Sequence, residues 1–327
     1  MPKPTLAVAM ETSDERRALI AEGLAGAGEA VYLTDLDAEA AVAAVAAADA
    51  ILASHINQLP DDGRGIGPDC KLLQFYSSGI DFIPLKHLPD ELPIAGNGGA
   101  YAEPMAEHGL AMALAAGKRL MEEHEKLKTG EFNQFVRNKM FRGGVAGIVG
   151  FGGIGVAMAR LFKALGMATH AVNRRGHSDE PVDWIRTIDH LDELLAASDV
   201  VVLSLPLSQT TENLIDARRL GLMKPDAILV NLARGEIVDE DALFAHLQAT
   251  PTFTACIDAW WIEPVRHGRF EMRRPFLDLP NVIGSPHNSA SVGVWRRRVV
   301  QLAAENCARA LRGETPLHLI RPEERML

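Results

Sequence analysis

A glycine-rich turn of the form Gly-x-Gly-x-x-Gly lies near the middle of the chain. The apolar run Val145–Val149 comes directly before Gly150, and the pattern continues through Gly152 to Gly155 into a helical stretch. In such a turn the first glycine allows a tight bend, the second lets the backbone approach a pyrophosphate, and the third lets helix and strand pack closely. A strand, this turn and a helix in that order predict a dinucleotide-binding unit of a parallel α/β sheet.

Short apolar runs alternate with helical patterns along most of the 327 residues, which is typical of parallel α/β architecture. Before the glycine turn the predicted strands are Leu6–Met10, Ala30–Leu33, Ala50–Ala53, Leu72–Tyr76 and Pro93–Ala95, and the predicted helices are Asp14–Ala27, Ala38–Ala47 and one long helix, Tyr101–Lys128. From the turn onward the predicted strands are Val145–Val149, Met167–Val172, Val200–Leu205, Ala227–Asn231, Phe253–Ile257 and Val282–Ser285, followed by a last helix, Val292–Leu311. Six strands separated by helices satisfy a complete dinucleotide domain, and a chain of this length is expected to form two domains.

Composition excludes several classes of partner and site. The formal net charge of −10 and the lack of a dense Lys/Arg run argue against a nucleic-acid or membrane-surface partner. The first apolar run, Leu6–Met10, is too short for a signal sequence or a membrane span. Cys70, Cys256 and Cys307 lack the spacing of a zinc site or disulfide framework, so we expect no metal and a cytoplasmic setting.

The segment "HAVNRRG" (170–176) bears on the choice of cofactor. An acidic residue is usual about 20 positions after the glycine turn, where it binds the ribose 2′-hydroxyl of NAD and repels a 2′-phosphate. Here that position is Asn173, followed by Arg174 and Arg175. Asn173 removes the repulsion and the arginines supply charge-assisted donors for a phosphate, which predicts a preference for NADP. NAD remains possible, because both arginines could be solvated and the protein could accept either cofactor.

Three charged side chains follow three successive predicted strands. Arg234 lies in "NLARGEIVDEDAL", Glu263 in "CIDAWWIEP" and His287 in "LPNVIGSPHNSAS". The carboxyl ends of parallel strands share the sheet edge at which ligands bind, so we expect the three to converge near a nicotinamide.

In order and spacing, "GFGGIG", "LPLSQTTENLI", "LMKPDAILVNLARGEIVDEDAL" and "NVIGSPH" resemble the D-isomer specific 2-hydroxyacid dehydrogenase family over nearly the whole chain. The resemblance implies an NAD(P)-dependent enzyme that reduces a small 2-keto acid, such as glyoxylate or hydroxypyruvate, to the D-2-hydroxy acid. It also implies two doubly wound parallel-sheet domains: a Rossmann cofactor domain (101–289) inserted in a flavodoxin-like substrate domain (1–100 and 290–327). Homodimers that pair through the cofactor domains are implied as well.

The resemblance also implies the roles of individual residues. His287 exchanges the proton, Glu263 orients the imidazole, and Arg234 grips the substrate carboxylate and polarises the carbonyl. Ser78 and Gly79 of "YSSGIDFI" match a loop whose backbone N–H groups hold that carboxylate. The predicted cofactor contacts are Gly150, Gly152, Gly153, Ile154, Gly155, Asn173, Arg174, Arg175, Leu205, Pro206, Ala233 and Asp258.

Some alternatives remain open. Asp258 is expected to support the cofactor pocket rather than transfer protons, and His108 is interpreted as structural. Trp260, Trp261 and the basic loop Arg266–Arg274 could shape and charge the mouth of the site, or they could be dimer contacts or plain packing. A formate dehydrogenase is disfavoured, because it resembles this chain but carries Gln where Glu263 stands. A nucleotide-sensing protein, like corepressors of the same fold, is the alternative from another class, and the intact catalytic set argues against it.

Overall fold

The computed structural model describes residues 3–327, which form two compact units. Unit 1 comprises the residues up to Tyr101 together with Val292–Leu327, and unit 2 comprises Ala102–Ser291. In the sequence, unit 2 is therefore an insertion within unit 1. No helix found between residues 3 and 327 is both long enough and apolar enough to cross a membrane.

Thirteen strands and ten α-helices make up the regular structure of residues 3–327. The strands are β1 (Thr5–Val8), β2 (Glu29–Tyr32), β3 (Ala50–Ala53), β4 (Leu73–Phe75), β5 (Ile94–Ala95), β6 (Val145–Val149), β7 (Ala168–Val172), β8 (Trp184–Arg186), β9 (Val200–Leu203), β10 (Ile228–Asn231), β11 (Thr254–Ile257), β12 (Val282–Gly284) and β13 (Leu319–Ile320). The helices are α1 (Asp14–Leu24), α2 (Ala38–Ala47), α3 (Ala102–Gly117), α4 (Leu120–Lys128), α5 (Gly153–Ala164), α6 (Leu191–Ala197), α7 (Ala217–Leu220), α8 (Glu240–Ala249), α9 (Pro264–His267) and α10 (Arg296–Leu311).

The sheet of unit 1 has the order β13-β5-β4-β3-β1-β2. Strands β1 to β5 are parallel, in the flavodoxin-like order 2-1-3-4-5, and β13 pairs antiparallel with β5 at one edge. The two faces bury separate cores, because β1 sends Leu6 and Val8 into the cluster that contains α1 and α10 and Ala7 into the cluster that contains α2. Helices therefore cover both faces of this sheet.

The sheet of unit 2 has the order β12-β11-β10-β9-β6-β7-β8 and is parallel throughout. The strand order reverses between β6 and β9, which is the switch point where open α/β sheets bind ligands beyond the carboxyl ends of the strands. The glycine turn follows β6 and so lies at this switch point. Together the two sheets confirm the predicted fold class.

Helix starts are fixed by acidic caps that the sequence shows directly. The alanine-rich run forms α2 as predicted, and the Asp37 side chain accepts a hydrogen bond from Ala40 N at 2.8 Å at its start. In the same way Asp239 caps α8 by accepting from Ala242 N at 2.9 Å. Such a side chain satisfies an N–H group that has no acceptor within the helix.

The predicted single helix Tyr101–Lys128 is wrong, because the chain forms α3 and α4 with a break at Arg119. Arg119 has a φ of 53°, which a right-handed helix cannot contain. The break has a tertiary cause: a Cβ on Gly117 would lie 2.5 Å from the Phe141 ring, and Lys139 N donates to Gly117 O at 2.8 Å. The segment that contains Lys139 and Phe141 therefore packs against the end of α3, and the chain leaves the helical path there.

The sequence analysis did not predict two of the edge strands, β8 and β13. Strand β8 has three residues and β13 has two, and each contains only two apolar residues. They exist because a neighbouring strand offers hydrogen-bond partners, not because of an apolar pattern. The second sheet consequently has seven strands rather than six, and the first is not wholly parallel. The other predicted strands, and helices α1, α2 and α10, are present with ends shifted by up to four residues.

The C-terminal tail is anchored in unit 1 by Arg325. This side chain is buried, and its guanidinium donates to Leu88 O at 2.9 Å and to Pro89 O at 3.2 Å. We expect Arg325→Met to lower the free energy of unfolding by about 2 to 3 kcal/mol, because buried carbonyl groups lose charge-assisted donors. Calorimetry should show a lower Tm for this variant, while Arg321→Met, a change at an exposed arginine of the same tail, should leave Tm nearly unchanged. Equal Tm values for both variants would contradict this account of the tail.

Candidate active site

The glycine turn is fixed by the strands on either side of it. Gly150 has a φ of +94°, which glycine adopts without strain, and its N–H donates to Val172 O of β7 at 2.9 Å. A Cβ on Gly150 would lie 2.8 Å from Ser204 O. Ser204 Oγ in turn donates to Gly150 O at 2.7 Å. The turn is therefore held from both β7 and the segment after β9.

Gly152 is open to its surroundings, whereas Gly155 is tightly packed. A Cβ on Gly152 would meet nothing within 4 Å, whereas a Cβ on Gly155 would lie 2.2 Å from Gly150 O. Gly153 and Ile154 begin α5, and the N–H groups of a first helical turn have no acceptor inside the helix. An open backbone at a helix N-terminus, with close helix–strand packing behind it, fits the pyrophosphate of a dinucleotide.

Asn173 shapes the loop that follows β7. Its Oδ1 accepts from Arg175 N at 2.9 Å and Gly176 N at 2.7 Å, and its Nδ2 donates to His177 O at 3.0 Å. Both ends of the amide thus hold the loop in place. Arg174 and Arg175 have exposed side chains on this loop. Because β6 and β7 are neighbours in register, the loop begins beside the glycine turn.

Three further predicted cofactor residues lie at the same edge of the sheet. Leu205 and Pro206 follow β9, and Ala233 follows β10, which are the next two strands after β6. Ala233 is buried, Leu205 is half-buried and Pro206 is exposed. Their contacts with a cofactor stay predictions.

Arg234 lies in a turn that its neighbours fix. Asn231 Oδ1 accepts from Ala233 N at 3.0 Å, and Asn231 Nδ2 donates to Arg234 O at 2.8 Å. The guanidinium Nη1 of Arg234 donates to Ala233 O at 2.8 Å. A Cβ on Gly235 would lie 2.4 Å from the carbonyl carbon of Trp260, so only glycine fits where this turn packs against the segment after β11.

His287 and Glu263 form a hydrogen-bonded pair. His287 Nδ1 lies 2.9 Å from Glu263 Oε1 and 2.8 Å from Oε2. Because carboxylate oxygens accept, Nδ1 carries a proton and donates it, which leaves Nε2 as the nitrogen able to exchange a proton with a bound molecule. The imidazole is 35% exposed and the Glu263 side chain 9% exposed. Glu263 Oε1 also accepts from Trp260 N at 2.7 Å.

The pKa of Glu263 is lowered from its ordinary value of 4.5. Burial raises this pKa, but the hydrogen bond and charge of His287, the Trp260 N–H and the charge of Arg234 outweigh burial. His287 thus contacts the Glu263 carboxylate directly, and the charge of Arg234 acts on the same carboxylate. Because the folded pKa is depressed, Glu263 contributes stability that is present above pH 4.5 and is lost as the pH falls through the lowered value.

Asp258 directly follows β11, and its buried carboxylate accepts several hydrogen bonds. Its Oδ1 accepts from Ser285 Oγ at 2.6 Å and from Asn288 N at 3.2 Å, and its Oδ2 accepts from Ser289 N at 3.4 Å. The carboxylate therefore holds the loop that carries His287. Its contact with a cofactor stays a prediction.

Both tryptophans after β11 are packing residues. Trp260 is 5% exposed and Trp261 is 7% exposed. Trp260 Nε1 donates to Ser285 O at 2.8 Å, while Trp261 Nε1 donates to Val238 O at 2.7 Å and its ring stacks on Phe276. Of the alternatives that the sequence left open, the structure supports packing.

The basic loop after Glu263 is bound to acidic side chains of unit 2. The ion pairs are Arg266–Glu236 at 2.5 Å, Arg269–Glu271 at 2.8 Å, Arg273–Glu240 at 2.7 Å and Arg274–Asp241 at 2.7 Å. Three of the four acidic partners lie in the segment directly after Arg234 and Gly235. The loop is therefore a strap over that segment rather than a free basic patch.

Ser78 and Gly79 lie in unit 1, in the loop after β4, and both are half-buried. A Cβ on Gly96 would lie 2.6 Å from Ser78 O, and Asn97 N donates to Ser77 O at 2.8 Å. The loops after β4 and β5 thus pack together at the carboxyl edge of the unit 1 sheet. The role of Ser78 and Gly79 in substrate binding stays a prediction.

Sequence reasoning missed several residues that support the site. Ser204 braces the glycine turn, Asn231 braces the turn of Arg234, and Ser285 bonds Asp258. The available signal is position, since Asn231 and Ser285 end predicted strands and Ser204 is the last residue but one of another. Within residues 3–327, no group of three or more His, Cys, Asp or Glu side chains could hold a metal ion.

Known proteins resemble this chain in sequence and structure. The sequence profile of the D-isomer specific 2-hydroxyacid dehydrogenase NAD binding domain matches residues 110–289. A glyoxylate/hydroxypyruvate reductase B of Pectobacterium atrosepticum is 30% identical and covers 98% of this chain and 99% of its own length. A glyoxylate reductase of Thermofilum pendens is 29% identical over 84% of this chain and 82% of its own. A glycerate dehydrogenase related protein of Thermoplasma acidophilum has a solved structure with a TM-score of 0.64, 28% identity and coverage of 93% of this chain and 98% of its own.

The profile spans more than half of the chain, and the Pectobacterium reductase aligns over nearly all of it. The profile covers the glycine turn and the His287–Glu263 pair described above. This chain therefore belongs to the D-isomer specific 2-hydroxyacid dehydrogenase family and is an NAD(P)-dependent oxidoreductase.

Proposed function

We propose that the enzyme reduces a small 2-keto acid, such as glyoxylate or hydroxypyruvate, to the D-2-hydroxy acid with NADP(H) as the preferred cofactor. The observation that carries this proposal is the His287–Glu263 pair, which holds an imidazole by Nδ1 and leaves Nε2 for proton exchange. Relatives named glyoxylate and hydroxypyruvate reductases support the substrate class. We assign cofactor binding to unit 2 and the substrate domain to unit 1; the cytoplasmic setting stays a prediction.

His287 gives its Nε2 proton to the carbonyl oxygen of the keto acid in reduction and takes a proton back in oxidation. Glu263 accepts the Nδ1–H hydrogen bond and so holds that proton in place while Nε2 gives up or takes its own. Arg234 binds the substrate carboxylate and stabilises the negative charge that develops on the carbonyl oxygen. Ser78 and Gly79 are proposed to donate backbone N–H groups to the same carboxylate. When bound, the reduced nicotinamide supplies the hydride.

The preference for NADP rests on the loop after β7. Asn173 uses its amide to hold the loop, so no carboxylate stands there to repel a 2′-phosphate. We propose that Arg174, with Arg175, binds that phosphate through charge-assisted hydrogen bonds. The open surface at Gly152 and the first turn of α5 would hold the pyrophosphate.

Replacing Arg174 by alanine should raise the KM for NADPH by about 10- to 100-fold, the value of one or two lost hydrogen bonds to a charged group. The KM for NADH should stay nearly unchanged, because NADH has no 2′-phosphate. Steady-state kinetics with both cofactors test this expectation. Arg218→Ala, which removes an exposed arginine bound to Asp192 elsewhere in unit 2, is the matched control.

Asn173→Asp tests the same site from the other direction. The new carboxylate can still accept from Arg175 N and Gly176 N, but it loses the donor to His177 O and adds a negative charge. We expect this variant to favour NADH over NADPH. Wild-type kinetics with a clear preference for NADH would overturn the NADP assignment.

A panel of 2-keto acids, run with NADPH and with NADH, tests the proposed reaction. Loss of NADPH absorbance with glyoxylate or hydroxypyruvate is the expected result. Tight NADPH binding without turnover of any 2-keto acid would instead favour a nucleotide-sensing protein.

A second copy of this chain is the proposed partner. Large apolar side chains between residues 120 and 140 of unit 2 are exposed, and two of them, Phe132 and Phe135, are 78% and 82% exposed. Several large apolar side chains exposed along one stretch of chain favour an interface, and the family resemblance implies pairing through the cofactor domains. The exposed residues are Leu120, Met121, Leu127, Phe132, Phe135 and Met140.

Light scattering coupled to size exclusion should therefore give the mass of a dimer. The double variant F132S/F135S should raise the dimer dissociation constant by about 100-fold or more, because two aromatic anchors are lost. Val265→Ser, at another exposed apolar residue of unit 2, should leave the mass unchanged. A monomeric wild type at micromolar concentration would contradict the proposed dimer.

A further inference from the structure

The buried carboxylate of Asp258 has a contact on α3 that the proposed reaction does not use. His108, on α3, lies with Nε2 3.0 Å from Ser285 Oγ and 3.7 Å from Asp258 Oδ1. Ser285 Oγ lies 2.6 Å from the same Asp258 oxygen. The Asp258 side chain is 1% exposed and that of His108 is 27% exposed. A chain of polar contacts thus runs from the half-buried imidazole of His108 through Ser285 to the buried carboxylate of Asp258.

The proton positions in this chain follow from its donors and acceptors. A serine hydroxyl has one proton, and a carboxylate oxygen can only accept. At 2.6 Å that proton must lie between Ser285 Oγ and Asp258 Oδ1, because two bare oxygens at this distance would repel. The contact between His108 Nε2 and Ser285 Oγ therefore needs its proton on the imidazole. The chain runs from His108 Nε2–H through the Ser285 hydroxyl to Asp258.

Asp258 connects this chain to the loop that carries His287. The backbone oxygen of Asp258 accepts from His287 N at 3.0 Å, and the carboxylate accepts from the N–H groups of Asn288 and Ser289. His287 itself has a φ of 50°, a left-handed conformation that is unfavourable for residues other than glycine and persists only where surrounding contacts hold it. The hydrogen bonds from residues 287–289 to Asp258 hold His287 in this conformation.

We propose that His108 is a positioning residue that, through Ser285, fixes the carboxylate of Asp258 and with it the loop 285–289 that presents His287. This inference rests on the proposed function, because it assigns His108 to the proton-transfer step without contact with substrate. His108 donates a hydrogen bond that only an N–H group at this place can supply. Without it, Ser285 can rotate toward other acceptors, and the Asn288 and Ser289 contacts lose a fixed partner.

Kinetics separate positioning from general packing. His108→Ala should lower kcat by about 10- to 100-fold, the loss that misplacement of a catalytic group by a fraction of an ångström to an ångström can cause. The KM for the keto acid should change little, because Arg234 and its turn are untouched. His108→Gln, whose amide N–H can donate to Ser285 Oγ, should restore kcat to within about threefold of wild type. His190→Ala, a change at another half-buried histidine of unit 2, is the matched control.

Nuclear magnetic resonance tests the arrangement without turnover. In protein with ¹⁵N-labelled histidine, the resonance assigned to His108 by its loss in His108→Gln should show a protonated Nε2. The amide protons of Asn288 and Ser289 should exchange faster in His108→Ala than in wild type and should be protected again in His108→Gln.

Each outcome bears on one proposal. An unprotonated Nε2 at His108, a kcat for His108→Ala within twofold of wild type, or a glutamine variant as slow as the alanine variant would overturn the positioning role. Absence of turnover in wild type with every 2-keto acid would instead overturn the proposed function, and the exchange data would then still test the contacts of Asp258.

Discussion

His287→Ala is expected to lower kcat for 2-keto acid reduction by about 10²- to 10⁴-fold, the usual contribution of a positioned general acid. The reason is specific to one atom. Glu263 fixes the Nδ1 proton, so Nε2 is the only nitrogen of this ring that can give a proton to the carbonyl oxygen. Alanine removes that donor.

The same variant should keep its affinity for NADPH, because the proposed pyrophosphate and 2′-phosphate sites follow β6 and β7, whereas His287 follows β12 at the edge of the sheet. Fluorescence titration measures that affinity, and stopped-flow absorbance measures the single turnover. The pKa of Glu263 should rise in the variant, since burial is then opposed by fewer partners. His124→Ala, at an exposed histidine of α4, controls for the loss of an imidazole. Full activity in His287→Ala would refute the assigned role.

Arg234→Lys is expected to lower kcat/KM for the keto acid by about 10²- to 10⁴-fold, which corresponds to two lost hydrogen bonds between charged groups. Lysine keeps the positive charge that lowers the pKa of Glu263, so this substitution tests the shape of the guanidinium rather than its charge. The turn of Arg234 should survive, because Asn231 and Gly235 fix its backbone.

Steady-state kinetics over a series of keto acids measure this effect, with simple aldehydes as comparison substrates that have no carboxylate. The loss should be confined to substrates with the carboxylate. Arg219→Lys is a matched control, since Arg219 is also half-buried in unit 2 but binds Asp192. An equal loss for aldehydes and keto acids would show that Arg234 does not bind the carboxylate.

Much of this fold could be predicted because local pattern and tertiary environment agree. The buried strands β6, β9, β10 and β11 are mostly apolar, as buried parallel strands are, and a glycine turn of this form is typical between a strand and a helix. The pattern failed at Arg119 and at β8 and β13. There the structure depends on a partner segment distant in sequence, such as Phe141 against Gly117, and a local pattern carries no information on that partner.

The same distinction applies to the site. Arg234, Glu263 and His287 could be found because each follows a recognisable strand, and the sheet then brings their segments to one edge. The sequence could not show that Arg266, Arg273 and Arg274 form ion pairs, because their acidic partners precede them by about 30 residues. His108 looked structural for a similar reason: its partner Ser285 is 177 residues away.

The most direct test of the central claim uses NADPH deuterated at C4 of the nicotinamide. Both C4 stereoisomers are mixed in turn with the enzyme and glyoxylate, hydroxypyruvate or a larger 2-keto acid, and the product is analysed by mass spectrometry and chiral chromatography. We predict a D-2-hydroxy acid that carries one deuterium at C2 with one of the two stereoisomers; with glyoxylate, whose product has C2 chiral only through the label, the deuterium count alone is read. A product without deuterium from either stereoisomer, or no product from any 2-keto acid, would contradict the claim.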